Sequence, residues 1–311
     1  MVKFYADDYF HIGHAHLGTG KPCQDYSFSS VYGQIGFAVV SDGCSTGRHT
    51  DIGSRVIALA TAAAVNRCAQ LIDGGRHFFD TDPPTISWMI DEIKRQQEEV
   101  SGTARYSLNL ELNDMLATCS YALLSPAGGF IHLRGDGAVA IVQKNGEMRL
   151  VSYQWDKNTP LYPAYVDDNY KRFINVHGGD TLAKALKAEM WKYTLEGSLI
   201  KEEEKLISVA DGITGAFYGF TAQEIEGLSC VAIFTDGVSQ VANTAGGSNI
   251  MPWHEVVQQL IAFKNLNGEF VKRRIIRFIK EMQKKNLGPL DDIGCAVVRV
   301  EVEEGDILHG S

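Results

Sequence analysis

The stretch Phe37-Ala38-Val39-Val40-Ser41-Asp42-Gly43 decides how this sequence is interpreted. A short apolar run bounded by a turn signal predicts a buried strand. Such a strand places the Asp42 carboxylate at the rim of a core, and Gly43 lets the backbone approach a ligand closely. The same arrangement recurs in Val231-Ala232-Ile233-Phe234-Thr235-Asp236-Gly237. Two buried strands that each end in Asp-Gly suggest an acidic metal site built from distant segments.

Length and composition are those of a globular protein with a substantial core. The chain has 311 residues, of which 45% are hydrophobic and 22% charged, so it needs neither disulfides nor a structural metal for stability. Its net charge of -9 argues against nucleic acid as a partner, because phosphate binding requires a basic face. We expect residues 1–302 to form a single domain and residues 303–311 an acidic C-terminal tail.

Cysteine usage and hydropathy predict a cytoplasmic protein. The six cysteines form no C-x-x-C pair, which is typical of reduced, buried thiols. The N-terminal segment lacks the basic and apolar regions of a signal peptide. No run approaches the roughly 18 apolar residues that span a bilayer, so we expect no membrane association.

Hydrophobic periodicity predicts antiparallel sheets flanked by helices. The pattern favours a hairpin around Gly33, a strand meander with a tight Asn145-Gly146 turn, and helix pairs before and after the meander. This mixture predicts an α+β layered fold with helices on the outer faces of the sheets. The predicted helices are Ile52–Ile72, Ile86–Val100, Met251–Asn265 and Gly268–Lys285, and the predicted strands include Ser27–Val31, Gln34–Val40, Cys119–Leu124, Gly129–Arg134, Val139–Gln143, Met148–Tyr153, Ile174–Val176, Leu206–Val209, Val231–Phe234 and Ile293–Val302.

A histidine-rich segment near the N-terminus is the first alternative metal site. His11, His14 and His16 lie in a run that we interpret as a strand from Tyr9 to Gly18. On a strand only His14 and His16 share a face, and no Cys or carboxylate joins them at ligand spacing. Packing or surface roles are therefore favoured over metal binding.

Carboxylates at strand ends and in glycine-bounded turns form the main candidate site. Hard divalent cations such as Mg²⁺ and Mn²⁺ prefer oxygen ligands, and clustered carboxylates repel one another unless cations neutralise them. The alternative is that each Asp-Gly is an ordinary turn, the interpretation we give to Asp73-Gly74 and Asp211-Gly212. Asp42 and Asp236 differ from these turns because an apolar strand leads directly into each of them. The candidates are Asp25, Asp42, Asp136, Asp236 and Asp291, with Asp292 beside the last.

Taken in order, these segments resemble the metal-dependent type 2C family of serine/threonine protein phosphatases. The resemblance implies a four-layer α-β-β-α sandwich of two antiparallel sheets flanked by helix pairs. It covers nearly the whole chain, and its motifs are weak singly but fairly specific together. They are Gln24-Asp25, Ser41-Asp42-Gly43, Gly53-Ser54, Leu116-Ala117-Thr118-Cys119, Gly135-Asp136, Phe234-Thr235-Asp236-Gly237 and Asp291-Asp292-Ile293.

The resemblance also implies a ligand set for two or three Mg²⁺ or Mn²⁺ ions. Asp42 would bridge two ions, with the Gly43 carbonyl on one of them. The second ion would be completed by Asp236 and Asp291, while Asp292 would support the ligands or the turn. The implied metal residues are Asp25, Asp42, Gly43, Asp136, Asp236 and Asp291, and the implied catalytic residues are Asp25, Asp42 and Asp236.

The activity implied is hydrolysis of phosphoserine and phosphothreonine on proteins by a metal-activated water, with a cognate kinase as a partner in signalling. Two positions depart from the family. Gly20 stands where many members have a phosphate-binding Arg, which leaves Lys21 and Arg48 as candidate substrate-binding residues. Cys44 stands where some members have a general-acid His, with His49 as a possible substitute.

These departures leave two alternatives open. One is a pseudophosphatase, a regulatory binding module with the same fold. The other is a hydrolase of small phosphate esters, suggested by the weak basic grip on the phosphate and by the unusual Trp155–Tyr170 segment.

Overall fold

The computed structural model describes residues 1–73, 83–165, 167–246 and 250–303. Within these ranges the chain builds two large antiparallel sheets and one two-stranded sheet. The strands are β1 (Val2–His11), β2 (Tyr26–Tyr32), β3 (Ile35–Ser41), β4 (Cys119–Ser125), β5 (Gly128–Arg134), β6 (Gly137–Gln143), β7 (Met148–Trp155), β8 (Lys184–Tyr193), β9 (Leu199–Ser208), β10 (Ala216–Thr221), β11 (Leu228–Phe234), β12 (Val241–Asn243), β13 (Leu287–Pro289) and β14 (Ile293–Val302).

The first sheet has seven strands in the order β1-β14-β11-β6-β7-β8-β9, and the second has five in the order β10-β5-β4-β3-β2. The N-terminal and C-terminal strands, β1 and β14, pair along their whole length from Val2↔Val302 to His11↔Ile293. The seven-stranded sheet therefore joins the two ends of the described chain.

Helices occupy the outer faces of both sheets and several connections. They are α1 (His14–Thr19), α2 (Thr50–Asp73), α3 (Pro83–Leu108), α4 (Asp167–Val176), α5 (Val209–Thr214), α6 (Ala222–Gly227), α7 (Trp253–Leu260) and α8 (Phe270–Gln283), with 3-10 turns at Leu112–Met115, Asp156–Asn158 and Asp236–Ser239.

Strand β3 shows why the layers stack as they do. Both faces of this strand are buried, and successive side chains point in opposite directions. Phe37 and Val39 pack with α2 and α3 on the outside of the five-stranded sheet. Ala38 and Val40 pack between the two sheets. A strand covered on both faces requires a layer on each side, which explains the continuous apolar run in the sequence.

The seven-stranded sheet is covered in the same way. On β11, Val231 and Ile233 face the other sheet, whereas Phe234 belongs to the apolar core that includes Ile275 and Phe278 of α8. The predicted four-layer α-β-β-α sandwich is confirmed, with three apolar cores between its layers.

Several local predictions were wrong. The segment predicted as a strand from Tyr9 to Gly18 is the end of β1 followed by helix α1. The ladder ends because, beyond the His11↔Ile293 pair, the Gly13 N–H donates to the Asp292 carboxylate at 2.7 Å and no longer to a strand. The predicted Ile174–Val176 strand is the last turn of α4, since an apolar run this short does not distinguish helix from strand.

Other boundaries moved without changing the architecture. Asp211-Gly212, interpreted as a turn, lies inside α5, where Ser208 caps the helix by accepting from the Asp211 N–H. Helices α7 and α8 are shorter than predicted. Strands β8, β10, β12 and β13 were missed, β1 was predicted only from Tyr9 onward, and β9 only at its C-terminal end. Gly74 and the tail from residue 304 onward lie outside the described residues.

The helices of the described ranges include none with the length and apolar content needed to cross a membrane.

We predict that Phe37→Ala lowers the free energy of unfolding by about 3–5 kcal/mol, because it removes a fully buried ring and leaves a cavity between β3 and the helices. Val31→Ala, on the exposed face of the neighbouring strand β2, is the control and should cost less than about 1 kcal/mol. Urea denaturation measures both. Equal losses would show that the outer core is not closed over β3.

Candidate metal centre

Two carboxylates lie at one end of the five-stranded sheet. Asp42 follows the last residue of β3, and Asp25 precedes the first residue of β2. These strands pair with Tyr26 opposite Ser41, so the two aspartates emerge at the same edge. Thr118, the residue before β4, lies at the same edge and accepts a hydrogen bond from the Asp42 N–H.

Three further carboxylates lie at the facing end of the seven-stranded sheet. Asp136 is in the connection from β5 to β6, Asp236 follows β11, and Asp291 precedes β14. Antiparallel register aligns these positions, because Phe234 pairs with Ala138 on one side and with Cys295 on the other. The alternation of strand direction thus collects distant segments at one end of the sandwich.

The two groups meet where Thr235, the residue before Asp236, donates from Oγ1 to Asp25 Oδ2 at 2.6 Å. Burial raises the pKa of Asp42 well above its usual value, and the negative charges of the other four carboxylates raise it further: Asp25, Asp236, Asp136 and Asp291. The structure therefore brings together all five candidate carboxylates.

The remaining carboxylates respond to the same crowding. Burial first, and then the charge of Asp236, raises the pKa of Asp136. Burial and the charge of Asp291 raise the pKa of Asp236 to about 7. The Asp136 Oδ1 atom is buried and has no hydrogen-bond partner among the described residues. A set of mutually repelling oxygen donors, one of them unpaired, fits hard divalent cations such as Mg²⁺ or Mn²⁺.

Threonine side chains fix the backbone around Asp42 and Asp25. The Asp42 N–H donates to Thr118 Oγ1 at 3.0 Å, and the Thr118 N–H donates to the Asp42 carbonyl at 2.8 Å. Thr235 Oγ1 donates to Asp25 Oδ2 at 2.6 Å. These hydrogen bonds hold the two carboxylates on rigid strand ends, which is how a binding site keeps its geometry.

Gly43 allows a close backbone crossing beside Asp42. A Cβ at this position would lie 2.6 Å from the Thr50 carbonyl oxygen and 2.9 Å from the Gln24 carbonyl oxygen. The Gly43 N–H donates to that Gln24 oxygen at 3.2 Å. Only glycine fits here without displacing the loop.

Asp292 anchors the centre instead of facing it. Its side chain is 1% exposed, and its two oxygens accept from the backbone N–H groups of Gly13 at 2.7 Å and Gln24 at 2.6 Å. His16 Nδ1 lies 2.9 Å from Asp292 Oδ2 and 4.0 Å from Asp291 Oδ1. This aspartate therefore ties the loop before β2 and the helix α1 to the start of β14.

Gln240 links two of the candidate ligands. Its Nε2 donates to Asp236 Oδ2 and to Asp291 Oδ2, each at 3.1 Å. One amide thus sets the separation of two carboxylates that would otherwise repel each other. The sequence signal for it was its position four residues after Asp236, one helical turn along.

His16 is the residue that sequence reasoning set aside. His16, Asp291 and Asp292 are the His/Cys/Asp/Glu group whose ligand atoms all lie within 4.8 Å of one another in the described ranges. No spacing rule reveals this, because the histidine and the carboxylates are about 275 positions apart in the chain. Fold topology alone brings them together.

The residues predicted to bind substrate lie at the loop after Gly43: Arg48 is part of this loop, and Lys21, which follows α1, contacts it. Lys21 Nζ donates to the Ser45 carbonyl at 3.1 Å, and Arg48 is exposed. Gly20, which occupies the position of the family's Arg, caps the C-terminus of α1 with φ 69°. Left-handed backbone favours glycine there, which gives a local reason for the departure.

A tyrosine from the Trp155–Tyr170 segment also reaches the centre. Burial raises the pKa of Tyr162 far above its usual value, and the neighbouring Cys44 and Asp42 raise it further. Tyr162 is 6% exposed and stays a neutral hydroxyl. On the other side, a small cavity of about 40 Å³ beside Asp236 is also lined by Lys187 and Trp253.

We predict that Asp292→Ala lowers the free energy of unfolding by about 2–4 kcal/mol, because it leaves two buried N–H groups without their charged acceptor. Glu226→Ala, an exposed acidic residue on α6, serves as the control and should stay within about 0.5 kcal/mol of the parent. Urea denaturation in the presence of EDTA compares them. A neutral Asp292→Ala would contradict the anchoring role.

We predict that the metal-free protein becomes less stable as pH rises from 5 to 7.5. Folded Asp236 keeps its proton up to about pH 7, whereas an unfolded aspartate releases it near pH 4. The folded state thus binds more protons in this interval, so the free energy of unfolding falls with pH. Chemical denaturation at several pH values in EDTA measures the decline. Asp236→Asn should make the decline shallower, and an unchanged slope would refute the assignment.

Comparisons with known proteins show a family match for part of the chain and a shared fold for nearly all of it. Residues 12–159 match the family model described as Protein phosphatase 2C. A bacterial serine phosphatase superposes with a TM-score of 0.52 at 9% identity, covering 97% of this chain and 99% of that one. No curated protein sequence matches the chain significantly.

Two further solved structures share the fold. The serine/threonine phosphatase Stp1 from Staphylococcus aureus has a TM-score of 0.52 at 8% identity, with 96% of each chain covered. PppA, described as a regulatory component of the T6SS in Pseudomonas aeruginosa, has 0.52 at 13% identity, with 96% and 98% covered. The resemblance predicted from the sequence is confirmed: residues 12–159 match the protein phosphatase 2C family, on a chain that has the fold of bacterial serine/threonine phosphatases.

Proposed function

We propose that this protein is a Mg²⁺- or Mn²⁺-dependent phosphatase that hydrolyses phosphoserine and phosphothreonine on proteins. The observation that carries the proposal is the convergence of five carboxylates at one end of a phosphatase-like sandwich. We further propose that residues 1–302 form one catalytic domain and that it acts in the cytoplasm, opposite a cognate kinase.

In this proposal Asp42, Gly43, Asp236 and Asp291 hold two ions, Asp25 lies beside them, and Asp136 with Asp236 serves a third. When bound, such ions lower the pKa of a water and offset the negative charge on a phosphoryl group.

The chain's own contribution is to hold the carboxylates in place and to orient the substrate. Thr118 and Thr235 fix the residues around Asp42 and Asp25, and Gln240 fixes Asp236 relative to Asp291. Arg48 lies on the loop after Gly43 and Lys21 contacts that loop, so both can meet a phosphorylated side chain as it approaches. Lys21 would act as a point charge and Arg48 as a two-pronged donor.

We predict that Asp42→Asn and Asp236→Asn each lower kcat/KM at least about 100-fold, because each removes a charge that positions the reacting groups. The assay is hydrolysis of a phosphoserine peptide and of p-nitrophenyl phosphate with Mn²⁺. Asp91→Asn, an exposed residue on α3, is the matched control and should keep full activity.

Three outcomes separate the alternatives. Activity that survives in Asp42→Asn and Asp236→Asn would refute the proposed centre. Mn²⁺ binding by calorimetry without turnover of any phosphopeptide would favour a pseudophosphatase. Turnover of the small ester that far exceeds that of phosphopeptides would favour a small-ester hydrolase.

A further inference from the structure

A second cavity lies on the helix-covered face of the five-stranded sheet, and three cationic side chains stand in its largely apolar wall. It has a volume of about 160 Å³ and opens between α3 and the end of β5. Arg134 is the last residue of β5, and Lys94 and Arg105 come from α3. Because Phe130 on β5 faces the helices, Arg134, four residues on, projects from the same face.

Three polar side chains of this cavity have a donor atom without a partner in the described part of the chain. Ser101 is 9% exposed, and its hydroxyl has no hydrogen-bond partner among the described residues. The Nε atoms of Arg105 and Arg134 are also buried without a partner in the same ranges. Buried donors are normally satisfied, so three unpaired donors around one space indicate that something polar belongs there.

The charge balance of the cavity is positive. The lining contains one carboxylate, that of the exposed Glu98, and three cations, which are Lys94, Arg105 and Arg134. Lys94 lies at the limit of ion-pair distance, 4.0 Å, from the exposed Asp91. Neither Arg105 nor Arg134 forms an ion pair with an acidic side chain in the described ranges.

The neighbouring histidine adds no compensating charge. His132 is bonded to the Tyr121 hydroxyl and the Thr214 carbonyl, each at 2.9 Å. Burial lowers its pKa to about 4, and the positive charges of Arg134 and Lys94 lower it further. His132 is therefore neutral, so the positive charge near the cavity comes from Lys94, Arg105 and Arg134.

Size and donor chemistry define the ligand. A cavity of about 160 Å³ is smaller than the roughly 300–1,000 Å³ of sites that hold drug-sized molecules, so it suits one small group. Guanidinium groups donate in a planar fork that matches phosphate and carboxylate oxygens. We propose that Arg105, Arg134, Lys94 and Ser101 form a binding site for a phosphate group, distinct from the carboxylate centre.

The site is placed to influence that centre. Arg134 lies two residues before Asp136, and Met115 in the cavity wall lies three residues before Thr118, which holds Asp42. Pro163 in the wall follows Tyr162, the residue beside Cys44. A phosphate bound here touches three segments that continue directly into the carboxylate centre.

The test is isothermal calorimetry of the full chain in EDTA, at constant ionic strength, with inorganic phosphate as the probe. The parent protein should bind phosphate saturably, and Arg105→Gln and Arg134→Gln should each weaken binding at least about 10-fold, since each removes a charge-assisted hydrogen bond. Arg95→Gln, whose side chain pairs with Glu92 and Glu99 outside the cavity, is the matched control and should bind like the parent. Absence of saturable binding, or equal binding by all variants, would overturn the proposal.

Stability provides an independent readout. Because Arg105 and Arg134 have no acidic partner in the described ranges, their Gln variants should unfold at the parent's urea midpoint without phosphate. The parent alone should gain stability when phosphate is added. A large loss in the phosphate-free variants would show that the arginines serve the fold, and would also overturn the proposal.

A phosphoserine peptide distinguishes the two sources of a phosphate group. Binding that is tighter for the peptide than for inorganic phosphate, and that is lost in Arg134→Gln, would assign the site to a phosphorylated side chain. Binding of inorganic phosphate alone would assign it to a free anion. Neither readout depends on turnover, so a failure here and a failure of the proposed activity remain distinguishable.

Discussion

Repulsion among buried carboxylates is the constraint on which the rest of this structure depends. Burial and the charges of neighbouring carboxylates, Asp291 among them, raise the pKa values of Asp25, Asp42, Asp136 and Asp236. Without stabilising interactions, electrostatic repulsion would separate these carboxylates. Here they are held by paired strands, by threonine hydroxyls and by the amide of Gln240. The three apolar cores stabilise the fold and offset the electrostatic repulsion among the carboxylates at one end of the sandwich.

Much of this arrangement could be predicted from the sequence because its signals are local. The apolar run before Asp42 identified a strand buried on both faces, and the equivalent run before Asp236 identified its counterpart. Asn145-Gly146 identified the β6–β7 hairpin, and the periodicity of Phe270–Gln283 identified α8. The five carboxylates were all selected because each follows or precedes such a segment.

What the sequence did not reveal depends on contacts between distant positions. His16 was placed on a strand, whereas it lies in a helix that begins where Asp292 captures the Gly13 N–H. The role of Asp292 itself requires the loop at Gln24, 268 positions away. Likewise, the cavity at Arg134 needs α3 to cross the end of β5. No periodicity encodes such crossings, since they follow from how the sheets and helices pack.

The pairing of β1 with β14 has a consequence for the order in which the protein is assembled. In the seven-stranded sheet β14 lies between β1 and β11, and the residues just before it supply Asp291 and Asp292. During synthesis β1 leaves the ribosome long before β14, because most of the described chain lies between these two strands. Until β14 emerges, the acidic end is incomplete and β1 exposes an unpaired edge, which in nascent chains invites aggregation. The centre therefore matures last, so a polypeptide interrupted before β14 would carry most of the apolar core but not the complete set of carboxylates.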